Sequence, residues 1–261
     1  MRATTRLIAA AGAALLAGST VFTQQDFQWR GRVAPGQTIE IKGVNGGVRA
    51  VLANSNEVEV TAVRTARRSN PDSVRIEVVP HAGGVTICAV YPDVPGRDPN
   101  RCEPGSEGHM NTRDNDVNVQ FTVRVPAGVS FIGRTVNGGI EADSLEGDAE
   151  GHTVNGSVRL SASGLVRAAT VNGSITASGG RADWNEAAHF DTVNGDVTLT
   201  IPATLNAELR AETVNGSIHT EFPVTTTGRI SPRRLRGTIG SGGPELSLAT
   251  VNGSIHLLKG R

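Results

Sequence analysis

The stretch Ala169-Thr170-Val171-Asn172-Gly173-Ser174-Ile175-Thr176-Ala177 decides the fold, because its central phrase returns through the second half of the chain. Val-Asn-Gly recurs with Asn137, Asn155, Asn172, Asn194, Asn215 and Asn252, and in an outlying copy with Asn45. The clustered copies pair these asparagines with Gly138, Gly156, Gly173, Gly195, Gly216 and Gly253. Self-similarity at such a period marks a stacked architecture of repeated units.

Aligned on the asparagine, the copies separate inside from outside. Three residues later stand Ile140, Val158, Ile175, Val197, Ile218 and Ile255, all β-branched and aliphatic. That position faces a core. The next holds Glu141, Arg159, Thr176, Thr198, His219 and His256, which share only polarity and face water. The following residues turn mostly apolar again, so the period is two and the segment is a strand. Six residues before the asparagine, Phe131, Ala149, Val166, Ala188, Leu209 and Leu246 mark a second strand leading in. Each unit is strand, corner, strand, with Asn-Gly expected to supply a positive φ at the bend.

Asn-Gly between strands is also the strongest short hairpin signal. Exposed hairpin tips, however, give no reason for one Thr-Val-Asn-Gly at every turn. Parallel stacking does, because equivalent residues lie above one another at about 4.8 Å and identical side chains form ladders. Asparagine spacings of 18, 17, 22, 21 and 37 residues place insertions at the other corners, the largest over residues 222–243. Six clustered coils predict a rod about 29 Å tall. Residues 24–126 read as less regular β-structure, and 127–261 as the repeat solenoid.

Residues 1–23 have the form of a secretory signal, with Arg2 and Arg6 ahead of an apolar stretch and a small-residue exit at Ala17-Gly18-Ser19. No cysteine nearby invites a lipid, and membrane association is expected only if the signal is retained. The 25 basic side chains less Arg2 and Arg6 leave 23 against 25 acidic ones. Near-neutrality argues against a nucleic-acid partner. Arg64, Arg67 and Arg68, like Arg233, Arg234 and Arg236, read as solvated strand edges. Cys88 and Cys102 enclose a Pro/Gly/Asp-rich segment and read as one disulfide of an exported protein. They lack the Cys-x-x-Cys spacing of a metal or redox pair.

The repeats, the lead-in Pro35-Gly36-Gln37-Thr38-Ile39-Glu40-Ile41, the run starting Gly237-Thr-Ile-Gly-Ser-Gly-Gly and the closing Leu246-Ser-Leu-Ala-Thr-Val-Asn-Gly-Ser-Ile-His-Leu resemble a known group. These are exported bacterial β-strand-repeat proteins of unknown function, commonly labelled adhesins and similar to autotransporter-adhesin heads. The resemblance runs over about residues 27–258. It implies an all-β, right-handed parallel β-solenoid outside the cytoplasm and carries over no catalytic residues; the adhesin label is fold-level analogy.

Some parallel solenoids cleave acidic polysaccharides, so the corner carboxylates Glu141, Asp143, Glu146, Asp148, Glu150, Asp183, Glu186, Asp191 and Asp196 are candidates. A glycosidase needs two at a fixed separation. Glu141 occupies a variable outward position, and solvated decoration is the favoured reading. The repeats of calcium-binding β-rolls are absent from the sequence. His219 and His256 share a repeat position without a third ligand, and His152 and His189 lack an activated nucleophile. Asn-x-Ser at Asn155, Asn172, Asn215 and Asn252 is a by-product of the corner rather than a glycosylation signal.

The sequence thus predicts an exported, non-catalytic binding or scaffold solenoid without metal or cofactor, partnered by an envelope protein, a surface glycan or itself. A carbohydrate-active solenoid enzyme and a self-assembling envelope subunit are the alternatives. The last coil discriminates between assembly and monomeric display: an open edge favours the first, a covering by residues 222–243 the second.

Overall fold

A computed structural model describes residues 27–226 and 231–260; the signal reading of residues 1–23 lies outside them. Two long sheets face each other across one core. Strands leading into each Asn-Gly corner form one, here the leading sheet, and strands that leave it form the other, the following sheet. Around Asn172, Val166–Ala169 belongs to the first and Ile175–Gly179 to the second. The two flanks of a corner are therefore not paired with each other, and the hairpin alternative is excluded.

Pairing is parallel between successive coils and keeps the repeat in register. Ile175 sits beside Val158 on one side and Val197 on the other. The inward row is fully buried at Ile140, Val158, Ile175, Val197 and Ile255, and so is the leading row at Phe131, Ala149, Val166, Ala188 and Leu246. Burial of alternate residues from both sheets makes a thin aliphatic core, with Phe131 and Phe190 among its few large aromatic fillers.

The order of coils departs from the order of the chain. The strand Ile255–Gly260 pairs with Val197–Pro202 on one side and Ile218–Thr220 on the other. Glu245–Asn252 likewise lies between Ala188–Asp191 and Ala207–Asn215. The Asn252 coil is thus an internal rung, and the Asn215 coil ends the stack. At the opposite end Asn45 is no outlier. Val48–Leu52 pairs in register with Ile140–Leu145, so the stack has seven rungs rather than the six expected.

Antiparallel strands close both ends. Phe27–Gly31 and Val58–Thr65 extend the following sheet beyond Asn118–Val125, and Arg75–His81 pairs with Gly84–Val90 at the margin of the leading sheet. At the far end the insertion contributes Arg234–Ile239 and Val224–Thr226, antiparallel additions to Ala207–Asn215. Its Arg233 and Pro232 carbonyls accept the N–H groups of Thr213 and Ile218. These short, charged or covered margins offer little for a further coil to pair with.

Candidate functional site

Side chains at the corner explain the invariance of the repeat. Each asparagine carboxamide except that of Asn45, which only accepts, donates from Nδ2 to Oδ1 of the asparagine on the next rung. The chain of bonds runs Asn215, Asn252, Asn194, Asn172, Asn155, Asn137, Asn45, at 2.7–2.9 Å. In-register stacking brings identical amides to hydrogen-bonding distance. Threonine does a second job: the Thr170 hydroxyl donates to Gly156 O at 2.9 Å, and Thr135, Thr153, Thr192, Thr250 and Thr213 repeat the bond on their own rungs. These threonines are buried. Valine would fill the space but leave the carbonyl without its donor. Thr170→Val is therefore expected to cost about 1–3 kcal/mol, measured by urea denaturation.

Glycine's role differs from the sequence expectation. Only Gly46 and Gly195 among the motif glycines have positive φ, 119° and 155°. What all share is close approach. A Cβ on Gly156 would lie 2.1 Å from Gly138 O, and one on Gly173 2.1 Å from Gly156 O.

The outward row of the following sheet carries the sequence-predicted candidates. Glu141 lies between Arg49, at 2.9 Å, and Arg159, at 3.7 Å. With Asp143, Ser161 and Thr176 these line a shallow hollow of about 470 Å3. Asp143 accepts a bond from Ser144, while Asp148 turns the other way and takes the Leu165 N–H at 2.8 Å. Glu150 stands on the leading sheet, where His152 and Arg134 donate to it at 2.5 and 3.1 Å. The His152 bond, with the Arg134 charge behind it, holds the Glu150 carboxyl below its usual range against an opposing effect of burial. Burial pushes Asp191 up, with His189 partly opposing it. Glu186 pairs with Arg167 and Asp183 with Arg181, while Asp196 accepts the Ser254 N–H. The carboxylates are thus divided among two outer faces and the corners between them; Glu141 shares its hollow with Asp143, and Asp148 another with Glu186, each pair beside arginines.

His219 and His256 are brought side by side on adjacent rungs, ring centroids 6.3 Å apart, because the Asn252 coil slots beside the Asn215 coil. No group of three possible metal ligands occurs among the described residues.

One polar cluster was not legible. Glu40, set between Ile39 and Ile41, is a carboxylate only 3% exposed. Its carboxylate accepts from Thr86 and from the Gly105 N–H, each at 2.9 Å, and from Arg134 at 2.9 Å. Neighbouring Lys42 donates to the carbonyls of Glu103, Gly105 and Glu107. Burial lowers its ammonium pKa more than Glu40 raises it. Cys88 and Cys102 lie at disulfide distance, Cα atoms 5.7 Å apart, and tether this loop over the leading sheet. Inside the loop Asn100 donates to the carbonyls of Tyr91, Pro92 and Asn111 and accepts the Asn111 N–H. The segment is thus ordered by an asparagine and a lysine as well as by the cysteines. Elsewhere the Asp116 carboxylate, held at about 2 chiefly by hydrogen bonds from Ser69, also accepts the Arg67 and Arg68 N–H groups. The arginine cluster therefore sits on an anchored turn.

Solved structures to which the chain is similar include a putative cell adhesion protein from Clostridium sporogenes, at 10% identity and TM-score 0.48, covering 90% of this chain and 100% of that one. A putative adhesin from Bacteroides fragilis matches at 12% identity and TM-score 0.38, covering 90% and 98%. A protein from Parabacteroides distasonis named as a putative lipid binding protein matches at 13% identity and TM-score 0.23, covering 90% and 97%. No curated protein matches significantly. The family model for Toastrack DUF4097 matches residues 104–258, which hold six of the seven stacked asparagines, and the chain belongs to that family.

Proposed function

We propose that the protein is an exported, non-catalytic solenoid that binds or scaffolds at the cell envelope, with a surface glycan as the ligand its outer face fits best. The observation that carries this is the following sheet's outward row. Parallel stacking holds Arg49, Glu141, Arg159, Thr176 and Thr198 in fixed register at about 4.8 Å per rung. A rigid row of charges followed by hydroxyls suits a repeating polar polymer, whose binding then needs little ordering of the protein. Export is supported by the signal-like residues 1–23 and by the Cys88 and Cys102 pair, which persists in oxidising compartments.

Crosslinking the protein in its native envelope, followed by mass spectrometry, tests the reading. Capture of wall or surface glycan is expected, and Arg49→Ala with Arg159→Ala should reduce it several-fold. Capture of a single envelope protein would move the role to scaffold. Release of sugar products from envelope polysaccharide by the purified protein would overturn the non-catalytic assignment.

A further inference from the structure

The large hydrophobic side chains exposed among the described residues are all corner valines: Val136, Val154, Val171, Val193, Val251 and Val214, 37–55% exposed. The asparagine bridges set them in that spatial order, one per rung. At about 4.8 Å per rung they form an apolar ridge about 24 Å long. Val44, their equivalent on the Asn45 rung, is only 7% exposed. There the chain covers its own corner, and the Tyr91 hydroxyl accepts the Asn45 N–H at 3.3 Å. Single exposed valines need no explanation; six in one column do.

We infer that this ridge is a self-association surface on which a second copy of the chain docks antiparallel, about a two-fold axis between Val171 and Val193. Period is the first argument. A helix advances about 5.4 Å per turn and a strand about 6.8 Å between residues on one face, so neither stays in register with the valines beyond a few rungs. Another stacked corner keeps it along the whole ridge.

Charge is the second. The phrase Thr-Val-Asn-Gly-Ser has no ionisable side chain, and the one departure, Asp196, is engaged by the Ser254 N–H. Like copies therefore meet no repulsion along the ridge. The charges on the flanks are spent within each copy, Arg134 on Glu40 and Glu150, Glu212 on Arg210, Arg234 and Arg236, and Glu141 on Arg49 and Arg159.

Dipoles set the direction. The carboxamides of the ladder all point the same way, with the free N–H end at Asn45 and the free oxygen end at Asn215. Two such columns repel when parallel and attract when antiparallel.

A narrow ridge makes a small, weak interface, so sedimentation velocity over a concentration series is the suitable measurement. The purified protein should show a reversible monomer–dimer equilibrium, and Val171→Arg with Val193→Arg should weaken it at least tenfold with an unchanged melting temperature. Direction is read separately. The protein has no free cysteine, so Val136→Cys and Val214→Cys each introduce one thiol. Mild oxidation of the mixed variants should give a crosslinked heterodimer, and neither variant alone should crosslink. A protein monomeric to about 0.5 mM, a dimer indifferent to the arginines, or crosslinking by each variant alone would overturn the inference.

Discussion

Ile175→Asp is expected to leave the protein unfolded, while Thr176→Asp, one residue along the same strand, melts within a degree or two of the wild type. Ile175 is fully buried between Val158 and Val197, and its neighbours supply no donor for a carboxylate. Burying an unpaired charge costs several kcal/mol beyond the lost apolar contact, a large part of the roughly 5–15 kcal/mol that holds a domain folded. Thr176 points outward, where a carboxylate remains hydrated. Circular dichroism melts of the two variants decide the matter. Equal destabilisation would show that the strand does not separate core from solvent.

The second large effect belongs to a residue without a side chain. Gly173→Ala is expected to destabilise by about 3–5 kcal/mol, and Ser174→Ala by less than about 0.5 kcal/mol. The new methyl would sit 2.1 Å from Gly156 O and 2.5 Å from its carbonyl carbon, both backbone atoms that no rotamer change can move aside. Relief requires the rungs to part, which stretches the Thr170 bond to Gly156 O and the Asn172 bond to Asn155 together. Ser174 is partly exposed, and its hydroxyl receives only the Asp196 N–H, at 3.2 Å. Denaturant midpoints at fixed slope separate the two cases. An alanine at Gly173 tolerated within about 1 kcal/mol would mean that the stack is looser at its corners than the geometry states.

What could be read from sequence was what is local. The inward positions of Ile175 and its equivalents, and the strand-corner-strand unit, follow from a period of two that any one repeat displays. Parallel stacking followed from identity at the corner, and the Asn and Thr ladders supply its physical reason. The stacking order was not legible, because every rung presents nearly the same edge. It is the parallel pairing of the Asn252 coil on both of its sides, with the antiparallel addition of Arg234–Ile239 to Ala207–Asn215, that shows the Asn215 coil to be terminal. Glycine was expected for its conformation and is needed mainly for proximity, a property of the neighbouring rung rather than of the residue. Glu40 hid for a similar reason. The atoms that bury it, around Gly105, come from 65 residues further along the chain.

The position of the Asn252 coil has a consequence for how the molecule is made. Ala207–Asn215 leaves the ribosome before Glu245–Asn252, yet in the finished stack it rests on that later strand. Earlier coils can zip up one after another as they emerge. The Asn215 coil cannot, and must either wait unpaired or first settle on the Asn194 coil, along Ala188–Asp191 and Val197–Pro202, and then be displaced. That interval is when the chain is most open to mispairing with its own kind. Its length is set by the 37 residues between the two asparagines.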